Sequence, residues 1–240
     1  MFCFTHKNLI TSKALYGMVD YHSHILPGVD DGIQKDKEAY EVLSYFETLG
    51  ITKVVFTPHI SNEYPLKHTD HLKEKFKSFI FDYTGNLELS LSAEYMLDPA
   101  FEELLENGEL LTIHDKHLLV ETSYMNSPVH FTEILTKIHD KGYHTILAHP
   151  ERYVYMDEKQ YQQLKDMDLK FQLNLLSLVG VYGKRARSVA RKLLLDDFYD
   201  CIGSDLHNLL YFQKDVRQTK LSSKIIRKLQ TIKKGLRYSI

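Results

Sequence analysis

The stretch Asp20-Tyr21-His22-Ser23-His24-Ile25-Leu26-Pro27-Gly28-Val29-Asp30-Asp31-Gly32 sets two histidines at alternate positions ahead of a Pro-Gly turn and two aspartates. Imidazoles and carboxylates both bind divalent metals, and along an extended strand the side chains at i and i+2 point the same way, so His22 and His24 can grip one ion or two adjacent ions. Asp205-x-His207 repeats the spacing near the other end of the chain. His59, Glu94, Glu121, His149 and Asn174 are ligand-type residues between them. A set of nitrogen and oxygen donors without thiolates suits manganese, zinc or iron better than a structural cysteine-type zinc site. The donors outnumber what one ion needs. A carboxylate such as Glu94, if it bridged, would hold two or three ions together and generate a hydroxide nucleophile for attack at phosphorus or an acyl carbon. Arg152 and Asn174 are placed for anion handling, the first through a planar donor fork matched to phosphate oxygens.

Taken singly, each of these residues has an ordinary reading. A lone histidine is more often a hydrogen-bonded core residue, Asp30 and Asp31 read as turn residues after Pro27-Gly28, Asp205 could cap a helix, and Arg152 could pair with an acid. Their joint position carries the inference. Seven short β-rich runs recur, MVDYH (18–22), KVVFTPH (53–59), LELSLSAEY (87–95), HLLVETS (117–123), HTILAHP (144–150), FQLNLLS (171–177) and CIGSDLH (201–207), and each ends in one or two of the candidates. Segments of helical period separate them: EAYEVLSYFETLG with Gly50 as stop, HLKEKFKSFIFDY, FTEILTKIHDKG with Gly142 as stop, and RARSVARKLL. Alternating strands and helices imply a parallel sheet with right-handed crossovers. The carboxyl ends of parallel strands share one face, and a closed barrel would gather all seven where an open sheet would spread them along an edge, so a barrel is expected. His6, His68, His71, His114, His117, His130, His139 and His144 have no such position and receive no role.

The chain of 240 residues, 43% hydrophobic, is expected to bury one core in a single domain over 1–240, with 1–17 an irregular or helical lead-in. No run approaches the roughly 18 apolar residues of a membrane span and no secretory leader is evident, so a cytoplasmic protein without membrane insertion is expected. Cys3 and Cys201 are too few for a disulfide framework. The net charge of −2 hides an asymmetry: nine Lys or Arg against Asp215 alone lie between Lys214 and Arg237. The rest of the chain carries about −10, unfavourable for binding nucleic acid. Leu221, Ile225, Leu229, Ile232 and Leu236 recur at helical spacing, so 214–240 reads as a basic helical segment laid on the body with its charges in water.

The order HSHILPGVDDG, TPH, AEY, VETS, AHPERY, QLN and GSDLHN, from about Val19 to Asn208, resembles the PHP (polymerase and histidinol phosphatase) superfamily. Within it the chain is similar to bacterial manganese-dependent tyrosine-protein phosphatases that act on capsular and exopolysaccharide tyrosine kinases. The resemblance implies a distorted (β/α)7 TIM-like barrel of the PHP type with two or three divalent ions, most readily manganese. It implies one ion held by His22, His24, Glu94 and Asp205, a second by Glu94, Glu121 and His149, and a third by Asp31, His59 and His207. Asp31 is preferred to Asp30 because it immediately precedes Gly32. Arg152, His59 and Asp205 are the implied catalytic residues of a direct hydrolysis by metal-bound hydroxide, with Arg152 stabilising the equatorial charge at phosphorus. The implied substrate is a phosphotyrosine protein, the tyrosine-rich tail of a bacterial tyrosine kinase.

A thiol-dependent tyrosine phosphatase needs Arg six positions after its Cys, whereas Leu9 follows Cys3 and His207 follows Cys201 at that distance, so that class is excluded. One departure stands out. The resemblance leads to an Arg a few residues past Asp-x-His-Asn, but Phe212 stands there, with Lys214 nearby as a substitute point charge. A small-molecule phosphatase, such as one acting on histidinol phosphate, and a non-catalytic metal-binding regulatory module are the competing readings. A polymerase-associated exonuclease is the less favoured reading, since no polymerase portion is seen in the sequence and the acidic body does not suit a nucleic-acid backbone.

Overall fold

The computed structural model describes residues 6–64, 69–108, 110–114 and 116–236. Cys3 and His68 lie outside them. Nine short strands run in parallel: β2 (Val19–Asp20), β3 (Lys53–Phe56), β4 (His59–Ile60), β5 (Glu88–Leu91), β6 (Glu94–Met96), β7 (His117–Glu121), β8 (His144–Ala148), β9 (Lys170–Asn174) and β10 (Cys201–Gly203). They form one sheet in the order β2-β3-β5 and another in the order β10-β9-β8-β7-β6-β4. β3 with β4, and β5 with β6, are two halves of single runs, linked by Ser92 N–H donating to Phe56 O (2.8 Å) and Glu94 N–H to Pro58 O (3.0 Å). At the far side Tyr21 N–H donates to Ile202 O (3.0 Å), Asp205 N–H to His22 O (2.8 Å) and His24 N–H to Leu206 O (3.1 Å). The result is a curled parallel sheet in a mixed α/β fold.

Every residue of β7 is buried, as expected of a parallel strand covered on both faces. Residues of alternating parity divide the core. Leu118, Val120, Leu147 and Leu173 join the large cluster under the helices, while Tyr21, Val55, Leu119, Ile146 and Cys201 pack together in a second cluster. Helix α1 (Asp36–Leu49) follows from its apolar face: Ala39, Val42, Leu43, Phe46 and Leu49 are buried, and Gly50 at φ 78° stops it, with its own N–H on Glu47 O and that of Ile51 on Phe46 O. α2 (Thr69–Phe81), α4 (Phe131–Asp140) and α6 (Gly183–Leu195) fall on the other expected segments.

Three helices were not expected. α3 (Pro99–Asn107) and α5 (Glu158–Asp166) each bury only two side chains, so their periodicity is faint; their starts are set by Asp98 and Asp157, whose carboxylates accept from the N–H of Phe101 and Gln160. α7 (Leu209–Gln218) begins at the Asn208 cap. The C-terminal basic segment is not one helix. Among the described residues Lys214 ends up in α7, Lys220–Ser222 form strand β11, and α8 (Ser223–Ile232) is a separate helix, because Thr219 and Ser222 adopt extended backbone and Ser222 caps α8. β11 pairs antiparallel with β1 (His6–Asn8), so the lead-in contributes a strand. Leu221, Ile225 and Leu229 are buried as expected. Among the described residues no helix is long and apolar enough to cross a membrane.

Candidate metal centre

Register sets the ligand-type residues side by side: His59 lies opposite Glu94, Met96 opposite Glu121, and Gly203 opposite Asn174. The outcome is one cluster holding His22, His24, Asp31, His59, Glu94, Glu121, His149, Asp205 and His207 at the carboxyl ends of the strands. His22 Nδ1–H donates to Gln172 Oε1 (3.0 Å) and His24 Nδ1–H to Asp30 Oδ2 (2.8 Å). Those bonds turn both Nε2 lone pairs inward, the tautomer a metal requires. The two Nε2 atoms are 2.9 Å apart, and Glu94 Oε2 lies 3.0 and 3.3 Å from them. Asp205 Oδ1 is 3.5 and 3.4 Å from the same pair. Four acceptor atoms facing one another in a buried place demand positive charge between them. Ligands about 2.1 Å from a common ion are separated by roughly 3.0–3.4 Å, so the spacing and the chemistry of the donors fit a divalent metal.

Around this core His149 Nε2 approaches Glu94 Oε1 (3.0 Å) and Glu121 Oε2 (3.9 Å). His59 stands between two groups, with Nδ1 at 3.2 Å from both Glu94 Oε2 and Glu121 Oε1 and Nε2 at 3.6 Å from Asp31 Oδ1. His207 Nε2 lies 3.5 Å from the same Asp31 oxygen. Donor atoms come within 4.8 Å of one another in four overlapping groups: His24, Asp31, His59 and His207; His22, Glu94 and His149; His22, His24 and Asp205; His59, Glu94 and Glu121.

The backbone is strained where it delivers two of these side chains: His149 sits at φ 34° and Asp205 at φ 50°, both in the left-handed region. Gly203 lets the last strand close on the first, since a Cβ there would meet His22 Cβ at 2.4 Å and Gln172 Nε2 at 2.5 Å. Gly203→Ala is therefore expected to push His22 off position, lowering manganese affinity by at least about tenfold and costing about 1–3 kcal/mol of stability; metal titration and thermal unfolding check both.

Asn174 and Arg152 meet on Asp205. Asn174 Nδ2 donates to Asp205 Oδ2 at 2.7 Å and to Tyr182 OH at 3.2 Å, while its Oδ1 accepts from Leu176 N–H. Arg152 Nη1 donates to the same Asp205 oxygen at 2.9 Å. Asn174 thus orients Asp205 and caps the short helix at Leu175–Val179. A cavity of about 510 Å³ opens beside the cluster, lined among others by Asp31, His59, Arg152, Asp205, His207 and Phe212. Lys214 is exposed and is not part of that lining. Phe212 is buried against Phe46, with ring centroids 5.6 Å apart.

Sequence reasoning passed over Asp30, which also accepts from the N–H of Gly32 and His59, and Gln172. A fully buried Gln inside an apolar parallel strand was the available signal for the second. Tyr64, stacked on His59 at 5.2 Å, was passed over as well.

Burial opposes charge on His22, but Glu94 and Asp205 outweigh it and lift its pKa to about 9. His24 is raised likewise, against burial, by Asp30 in the first place, and Glu94 is held well below the carboxylate range by His22 and His149. The raised His22 stabilises the metal-free protein fully below its ordinary value near 6.5 and loses that contribution as pH rises through 9. The depressed Glu94 contributes above about 4.5 and loses its share as pH falls. Metal-free stability from these pairs is thus greatest between about 4.5 and 6.5. Ions must displace the imidazole protons, so the rise in Tm on adding manganese is expected to grow from pH 6 to pH 9. Paired scans across that range check it, and an increment that shrinks with pH contradicts it.

Fold and site together define an α/β protein with a cluster of His, Asp and Glu side chains that could hold metal on the carboxyl face of a curled parallel sheet. The chain belongs to the CpsB/CapC family of capsular polysaccharide synthesis, whose sequence pattern matches residues 18–231, in agreement with the resemblance read from the motifs. It is 29% identical over 205 residues to tyrosine-protein phosphatase CpsB of Streptococcus pneumoniae, covering 80% of this chain and 84% of that one. It is 25% identical over 198 residues to tyrosine-protein phosphatase YwqE of Bacillus subtilis, covering 80% and 78%. A crystal structure described under YwqE and CpsB, "unique metal-dependent tyrosine phosphatases", superposes with a TM-score of 0.70 at 23% identity over 91% of this chain and 96% of that one. That likeness shows a shared fold.

Proposed function

We propose that this protein is a metal-dependent protein-tyrosine phosphatase of capsular or exopolysaccharide synthesis, built on a single distorted (β/α)7 barrel of the PHP type. The observation that carries the reading is the convergence of nine imidazole and carboxylate side chains beside an arginine-lined cavity. His22, His24, Glu94 and Asp205 would hold one ion, Glu94, Glu121 and His149 a second, and Asp31, His59 and His207 a third, and His59 lies within 3.2 Å of Glu94 and Glu121 as well. Divalent ions held there, manganese first among them, would supply neutralisation of the phosphate and an activated water. Arg152 offers its remaining N–H groups to the phosphate oxygens, and Asn174 keeps Asp205 aimed at His22 and His24 rather than at the substrate. The names of the relatives extend the reading to phosphotyrosine proteins, and a cytoplasmic bacterial tyrosine kinase with a tyrosine-rich tail is the proposed partner.

Metal-stripped protein assayed on a phosphotyrosine peptide and on histidinol phosphate, with and without manganese, tests this. Manganese-dependent release of phosphate from the peptide alone is expected. Turnover of histidinol phosphate instead moves the substrate to small molecules, and no turnover of either by manganese-loaded protein favours a regulatory module.

A further inference from the structure

Arg152 is held in an unusual way. Its Cζ lies 4.2 Å from the ring centroid of Tyr124 and 4.1 Å from that of Tyr182, so the guanidinium is covered by an aromatic ring on each side. The three residues come from three different parts of the chain: Tyr124 from the loop after β7, Arg152 from the short helix after β8, and Tyr182 from the turn before α6. Tyr182 is fixed in turn, its OH accepting from Asn174 Nδ2, and Tyr124 stacks on Tyr153 at 6.2 Å. Among the described residues the guanidinium of Arg152 donates to Asp205 Oδ2 through Nη1 alone, because the other carboxylate oxygen faces His22 and His24.

Among the residues lining the cavity Arg152 is the one Lys or Arg, while Asp31, Asp205 and Asp215 line it too. Left free to rotate, a guanidinium in such company would settle into a two-pronged ion pair with a carboxylate and use up its fork. With no second Lys or Arg in that lining, the orientation of this one arginine decides whether an anion is gripped.

We propose that Tyr124 and Tyr182 are positioning residues that clamp Arg152 edge-on to the cavity, so that one guanidinium presents a fixed donor fork to a phosphate monoester. The proposal rests on the phosphatase reading for its substrate class. The ring faces, rather than the hydroxyls, do the holding. Burial pushes both phenols up from their ordinary pKa, so they remain neutral and protonated through the physiological range.

The test uses the full chain loaded with manganese, as wild type and as Tyr124→Leu, Tyr182→Leu, Tyr124→Phe and Tyr182→Phe. Inorganic phosphate affinity is measured by calorimetry, and kcat and KM on a phosphotyrosine peptide. Each Leu variant is expected to weaken phosphate binding and raise KM by about tenfold, with manganese affinity unchanged, and each Phe variant to recover most of the loss. Phe variants as impaired as the Leu variants would overturn the clamp in favour of an acting hydroxyl, and Leu variants with unaltered phosphate affinity would overturn it outright. Tyr124→Leu, at the more exposed of the two positions, carries the test if Tyr182→Leu fails to fold. A wild type that binds phosphate but does not turn over the peptide overturns the phosphatase reading alone, because phosphate affinity still reports the clamp.

Discussion

Glu94→Gln is expected to abolish tight manganese binding and to lower phosphatase activity by more than about 10³-fold, beyond the ~10–100-fold attached to losing an outer partner of a ligand. Glu94 is buried and meets four imidazoles: Oε2 lies 3.0 Å from His22, 3.3 Å from His24 and 3.2 Å from His59, and Oε1 lies 3.0 Å from His149. Glutamine keeps the volume but turns one acceptor into a donor. Whichever way its amide is oriented, an NH2 group faces either the inward nitrogens of His22 and His24 or that of His149, and the bridging charge is gone. The metal-free protein also loses the carboxylate that holds His22 protonated, at a cost of about 2 kcal/mol near neutral pH. That corresponds to a Tm lower by roughly 4–8 °C. Calorimetric metal titration, phosphate release and thermal unfolding at pH 7 measure the three effects. Retained manganese affinity would remove Glu94 from the ligand set.

The parts of the fold and site that could be read from sequence are those where one residue type answers one physical demand. Alternating His22 and His24, the TPH and AHP run ends and the Asp205-x-His207 pair were legible because strand geometry and metal chemistry both restrict the choice of side chain. α1 was legible because five buried apolar residues repeat at helical spacing. α5 was not, since only Tyr161 and Leu164 of its nine residues are buried and its capping box looks like any polar turn. β1 and β11 pair across more than 200 residues, a contact no local pattern announces. The inward roles of Asp30 and Gln172 depend on which neighbour the fold brings to them. Lys214 and Asn174 show the converse: both had the right chemistry for an anion, but the helix turns one to solvent and a cap and a carboxylate occupy the other.

Asp205→Asn separates backbone geometry from charge at the second junction of the site. The position is left-handed, φ 50°, a conformation Asn adopts more readily than Ala or most other residues, so the chain path should survive the change. The hydrogen bonds should not. Oδ2 accepts from Arg152 and Asn174, while Oδ1 faces His22 and His24, so all four outward neighbours require an acceptor or a shared cation. An asparagine with its oxygen toward Arg152 points an NH2 group at the metal side; flipped, it opposes two donors with a third. Manganese affinity is therefore expected to fall by at least about 10–100-fold and kcat/KM by about 10²–10³-fold. Burial opposes ionisation of Asp205, yet His22 and His24 hold its carboxyl far below the usual range, so the aspartate in return sustains the raised pKa of His22. Removing it lowers that pKa toward 6.5, and the protons released on metal loading at pH 7.5 should decrease with it. Titrations in buffers of different ionisation enthalpy count those protons. Unchanged proton release with unchanged affinity would show that Asp205 is a partner of Arg152 alone and that the ion between His22 and His24 is held without it.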